Sequence, residues 1–148
     1  MQQNQKTRVR ASVVCLHQEK ILVFRAIDPH SQAEYLFLPG GLIEETEDAR
    51  LCAERETLEE TGLRVQAILQ SEIVRKYMFR WNNKDFFCQT HFFRAELKCD
   101  PEKPKVVKDA DYNKGALWLP LEDVEEKFSY SRPVLSAVQE LIVYRVRE

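Results

Sequence analysis

The stretch Gly41–Leu63, GLIEETEDARLCAERETLEETGL, decides how this chain is read. Pro39-Gly40-Gly41 breaks the chain just ahead of it, and Gly62 stands near its end. Thr46 is expected to be the N-cap of a helix, with Glu47 and Asp48 placing negative charge in a first turn where the helix dipole favours it. Ala49, Leu51, Ala53, Arg55, Leu58 and Glu59 are good helix formers, and Gly62 is placed to end the helix at C′. At about 100° per residue, Glu56, Glu59 and Glu60 share one side, behind the small residues Ala49, Cys52 and Ala53. Leu51 and Leu58 lie on a different face and are expected to anchor the helix in the core.

An acidic helix face is commonly no more than a solvated surface. Here Glu56 and Glu60 are like charges four residues apart, a spacing that costs about 0.2–0.5 kcal/mol and that a divalent cation would reverse. Mg²⁺ takes hard oxygen ligands, usually one or two carboxylates with waters and phosphate oxygens. The Gly40-Gly41 pair lets the backbone run close to the helix and offer a carbonyl.

Gly41, Glu47, Arg55, Glu56, Glu59, Glu60, Gly62 and Leu63 stand at the spacing of the Nudix box, GX5EX7REUXEEXGU, so the chain resembles a small, MutT-like Nudix hydrolase. One position departs, Thr57, where the family usually has an aliphatic residue. The resemblance implies an α/β/α sandwich with a mixed sheet, and hydrolysis of a phosphoanhydride bond in a nucleoside diphosphate linked to a group X. It implies Mg²⁺ as cofactor, with Mn²⁺ as substitute, held by Glu56, Glu59, Glu60 and the Gly40 carbonyl. Arg55 would hold a carboxylate in place, and Glu59 or Glu56 would double as general base. Family sites often borrow an acid from the loop before a late Trp strand, which here offers Asp109 and Asp111, with Asp111 preferred.

The expected substrate is a small nucleotide such as a nucleoside triphosphate, giving a nucleoside monophosphate. ADP-ribose, dinucleoside polyphosphates, an RNA 5′ end, and a non-catalytic nucleotide sensor are the alternatives. Ser131-Arg132-Pro133 lacks the purine-reading Asn of the members that cleanse oxidised purine nucleotides. For the substrate's phosphates and base, Arg25, Phe37 and Tyr77 are the chosen candidates, beside Arg75, Lys76, Arg80, Phe79 and Trp81.

Working outward, Val9–Leu16, Ile21–Phe24 and Tyr35–Leu38 read as strands, and Leu63–Phe79 with Phe86–Leu97 as a long hairpin turning at residues 81–85. Ala116–Leu119 reads as a last strand and Leu121–Lys127 as a short helix. Pro133 suits the first turn of a final helix whose Val134, Leu135, Val138, Leu141 and Ile142 recur at the spacing of a buried stripe. Strands interleaved with helices give the α/β class. The 148 residues fit one domain, expected over 9–148 after a flexible tail at 1–8. A net charge of −2 offers no global positive field for nucleic acid or an anionic membrane. No apolar run is long enough for a signal peptide or a membrane span, so a cytoplasmic location with reduced cysteines is expected. Hairpin edges are compatible with a homodimer.

Overall fold

The computed structural model describes residues 6–101 and 110–145. Eight strands form one mixed sheet: β1 (Arg8–His17), β2 (Lys20–Ile27), β3 (Glu34–Phe37), β4 (Gly40–Leu42), β5 (Val65–Ala67), β6 (Ile73–Trp81), β7 (Lys84–Leu97) and β8 (Asn113–Pro120). Helices α1 (Ala49–Thr61), α2 (Val124–Lys127) and α3 (Arg132–Ile142) complete the chain. The central path is β3-β2-β1-β7-β5, with β4 on β1, β6 on β7 and β8 on β2. β1 and β7 run parallel from Arg8↔Cys88 to Cys15↔Ala95, and the other pairings are antiparallel.

Alternation along these strands sorts the core into two layers. Val14 of β1 and Phe92 of β7 pack under α3 with Val134, Ala137, Val138 and Leu141. Ala11, Val13 and Cys15 of β1, with Phe93 and Ala95 of β7, pack under α1 against Cys52 and Ala53. One helix therefore covers each face, the α/β/α arrangement the box implied.

Three local expectations change. The N-cap of α1 is Asp48, whose carboxylate accepts the Leu51 N–H at 2.8 Å, so Thr46 and Glu47 stay outside the helix. The strand expected over 63–79 is broken: β5 stops at Ala67, a 3₁₀ turn spans Leu69–Ser71, and β6 begins at Ile73. Arg8, assigned to a tail, is the first residue of β1. By contrast, Gly62 ends α1 in the left-handed region (φ 75°) and donates its N–H to the Leu58 carbonyl, and Ser131 caps α3 ahead of Pro133.

The face that α1 buries was misjudged. Leu51 and Leu58 remain 46% and 42% exposed, while Cys52, Ala53, Thr57 and Thr61 are buried. Small side chains let α1 approach the sheet closely, and the hydroxyls of Thr57 and Thr61 donate to the Ala53 and Thr57 carbonyls at 2.7 and 2.6 Å. A buried threonine whose hydroxyl is bonded within the helix leaves no polar atom unmatched, so the departure at Thr57 is accommodated.

Candidate active site

β4 lies between α1 and a cleft of about 520 Å³ on the α3 side of the sheet. Its glycines let the α1 glutamates reach that cleft. A Cβ on Gly41 would stand 2.4 Å from the Glu56 Cδ, and the Gly40 N–H donates to Glu60 Oε1 at 2.7 Å. Gly40 thus meets the carboxylates through its N–H, a contact the sequence did not suggest. Glu60 is only 5% exposed yet lines the cleft with Glu56 and Glu44.

Arg55 organises the remaining acids. Its Nε and Nη2 donate to Glu47 at 2.9 and 2.7 Å, and its Nη1 reaches Glu56 and Glu59, each at 3.1 Å. The bidentate guanidinium holds the Glu47 carboxyl down at about 2 and raises Arg55 in turn. Glu56 moves the other way: burial raises its pKa, the Arg55 charge opposes that, and the Glu59 charge adds to it. Glu59 is half-exposed and does not line the cleft.

This donor set fits a divalent cation. Glu56, Glu59 and Glu60 offer hard carboxylate oxygens at i, i+3 and i+4, and the Arg55 guanidinium beside them is shared among Glu47, Glu56 and Glu59. Among the described residues no three such groups are drawn together as a formed metal centre. Glu59 accepts from Arg55, and Glu60 accepts the Gly40 N–H.

The far wall of the cleft is aromatic, formed by Phe24, Phe37, Phe79, Trp81, Tyr112 and Tyr130. Phe37 sits 5.4 Å from Trp81 and 5.7 Å from Phe79, centroid to centroid. Tyr77 lines the floor, its hydroxyl 2.8 Å from the Thr90 hydroxyl. Phe37 and Tyr77 both line the cleft.

Arg25 and Asp111 do not. Arg25 alternates with Phe24 along β2, so Phe24 enters the cleft while Arg25 pairs with Glu34 at 2.7 Å on the surface. Asp111 is exposed in a turn and its neighbour Tyr112 lines the cleft instead; Asp109 lies outside the described residues. Arg75 bonds Glu140 and Arg80 bonds Asp85. Among the described residues the cations that line the cleft are Arg8 and Arg10 of β1, with Arg8 4.0 Å above the Phe86 ring. A signal was present, because Arg8, Arg10 and Ser12 alternate with Val9, Ala11 and Val13.

A family model described as NUDIX domain matches residues 6–138. No match was found among curated proteins. Among solved structures, a NUDIX hydrolase from Nitrosomonas europaea is 21% identical, covers 91% of this chain and 88% of its own, and superposes with a TM-score of 0.69. A MutT protein from Methanosarcina mazei Go1 is 15% identical, with coverages of 95% and 96% and a TM-score of 0.67. A C. elegans Ap4A hydrolase is 18% identical, with coverages of 91% and 95% and a TM-score of 0.65. At these identities the structures establish a shared fold, and the domain match establishes the family. The chain belongs to the Nudix family, the pyrophosphohydrolases that act on acid anhydrides.

Proposed function

We propose that this chain hydrolyses a nucleoside triphosphate, or a related small nucleotide, at a phosphoanhydride bond and releases a nucleoside monophosphate, with Mg²⁺ as cofactor. The observation that carries this reading is that one cleft is lined together by aromatic rings, by Arg8 and Arg10, and by Glu56 and Glu60. A base stacks on the wall, where ring contact contributes about 1–3 kcal/mol. The two guanidiniums bind phosphate oxygens. In this reading the anhydride phosphorus lies within reach of the glutamates.

Glu56, Glu59 and Glu60 would hold a divalent cation, which would supply charge neutralisation for the phosphates and a lower pKa for water. Glu56 lines the cleft and Glu59 does not, which favours Glu56 as the base that accepts the proton from the attacking water. The water oxygen bonds to phosphorus as the anhydride P–O bond breaks, and the electron pair stays on the departing phosphate oxygen. Arg55 fixes the direction of Glu56 and draws on Glu47 for its own orientation. The chain's part is placement, charge and one proton transfer.

The test is phosphate and pyrophosphate release from NTPs, dNTPs, ADP-ribose, dinucleoside polyphosphates and triphosphorylated RNA, with Mg²⁺ and with EDTA. Mg²⁺-dependent turnover of triphosphates above the rest supports the proposal. Preference for another class replaces the substrate, and no turnover of any compound makes the cleft a binding site.

A further inference from the structure

Asp28 lies at the end of β2's run into the β2–β3 loop, is buried, and has no part in the chemistry above. Its Oδ1 accepts the N–H groups of His30 at 2.8 Å and Ser31 at 3.2 Å, which closes the loop leading into β3. Its Oδ2 accepts the N–H of Asn82 at 3.1 Å, 54 residues away in the β6–β7 turn. That turn is Asn82-Asn83, with φ of 52° and 62° at the two positions, the left-handed pair that a two-residue hairpin of this twist requires. Burial works against the charge on Asp28, but the three N–H groups outweigh it and hold its carboxyl below the usual range.

The two segments joined by this carboxylate carry Trp81 and Phe79 on one side and Phe37 on the other, with Tyr35 packed behind these wall rings. Trp81 directly precedes Asn82, with Phe79 on the same face of β6, while Tyr35 and Phe37 follow the loop on β3. Tyr35 and Phe37 contact Trp81 at 6.1 and 5.4 Å and Phe79 at 5.9 and 5.7 Å. Besides these ring contacts and that of Trp81 with Tyr112, the other side-chain polar contacts of the tip among the described residues, Arg80 to Asp85 and Asn83, stay within the hairpin.

We infer that Asp28 is a positioning residue for substrate specificity: its carboxylate latches the β6–β7 hairpin to the β2–β3 loop and so sets the spacing of the rings that hold a planar base. The inference rests on the reading that the aromatic wall receives the base, and it adds the residue that tunes that recognition from outside the cleft.

Asp28→Asn separates the two halves of the latch. The amide oxygen keeps the His30 and Ser31 bonds, but its NH₂ then faces the Asn82 N–H, donor against donor. KM for ATP is expected to rise about tenfold, within the range that one base–aromatic stack contributes, with kcat nearly unchanged. KM for inorganic tripolyphosphate, which has no base, should stay as in wild type. In native-state amide exchange, the Asn82 N–H of the wild type should be protected despite its place in a tight turn, and should exchange faster in the variant.

An unchanged KM for ATP in a variant with a freed Asn82 amide overturns the inference, and so does an equal loss on ATP and tripolyphosphate, which marks a general structural role. An unprotected Asn82 amide in wild type overturns it without any variant. Wild-type failure to hydrolyse ATP would instead count against the proposed function, and the exchange measurement still reads the latch.

Discussion

Replacing Gly41 by alanine should lower activity about 10²-fold and leave the fold standing, whereas the same change at the adjacent Gly40 should lower stability. The Gly41 backbone is not in the left-handed region, so alanine meets no conformational barrier there. Its Cβ would lie 2.4 Å from Glu56 Cδ and 2.6 and 2.7 Å from the two carboxylate oxygens, where ordinary contact begins at 3.4 Å. The obstacle is the end of a flexible side chain, so Glu56 retreats by about 1 Å; a misplacement of that size costs on the order of 10²-fold in rate, equal to about 2.7 kcal/mol in the barrier. At Gly40 the obstacles are the Ser12 Oγ at 2.2 Å, the Ala11 carbonyl oxygen at 2.3 Å and the Ser12 Cα at 2.8 Å. Backbone of the paired β1 strand cannot step aside, and overpacking of this kind costs about 1–3 kcal/mol of stability. The assay is metal-dependent phosphate release alongside thermal melting of both variants. Wild-type turnover in Gly41→Ala, or a melting point lowered as far as in Gly40→Ala, refutes the placement of Glu56 against β4.

Three further outcomes follow from the same structure. Leu58→Ala should cost less than about 1 kcal/mol in denaturant unfolding, because the side chain is half-exposed and alanine favours the helix; the loss of about 2–5 kcal/mol typical of a buried leucine would contradict the observed core face. Glu47, held at about 2 against an ordinary 4.5, contributes stability that is complete above pH 4.5 and lost as pH falls toward 2. Glu47→Gln should therefore lower stability at pH 7 by about 1.5 kcal/mol, the low end for a bond to a charged group near solvent, and flatten the acid limb of a melting-point profile; an unchanged limb counts against the pair. Burial pushes Cys15 and Cys52 up to about 12 and raises Cys88, whereas Cys99 is exposed. A thiol reagent at pH 8 should label Cys99 in the native protein and the other three only on unfolding, and peptide mapping that finds early modification at Cys52 contradicts the packing of α1.

The parts legible in the sequence were those written in residue identity and spacing. The box from Gly41 to Leu63 pointed to the family, Gly62 to the end of α1, and the Val134–Val138–Leu141 stripe to the face α3 buries. The orientation of α1 was not legible from hydrophobicity, because its buried side is Cys52, Ala53, Thr57 and Thr61 and its leucines face out. A helix that packs through small residues carries almost no apolar periodicity. Strand parity decided the cations: Arg8 and Arg10 alternate into the cleft, while Arg25 follows Phe24 and turns away. The Asp28–Asn82 contact depends on two turns meeting in space, and no local pattern announces that.

The account turns on the carboxylates that α1 presents past β4, and Glu56→Gln tests it most directly, since the amide keeps the shape and removes the charge and the proton acceptor. Turnover of the best triphosphate with Mg²⁺ should fall by about 10²- to 10⁴-fold, the usual contribution of a general base, with the melting temperature unchanged. Turnover within a few fold of wild type would place the chemistry elsewhere and contradict the account.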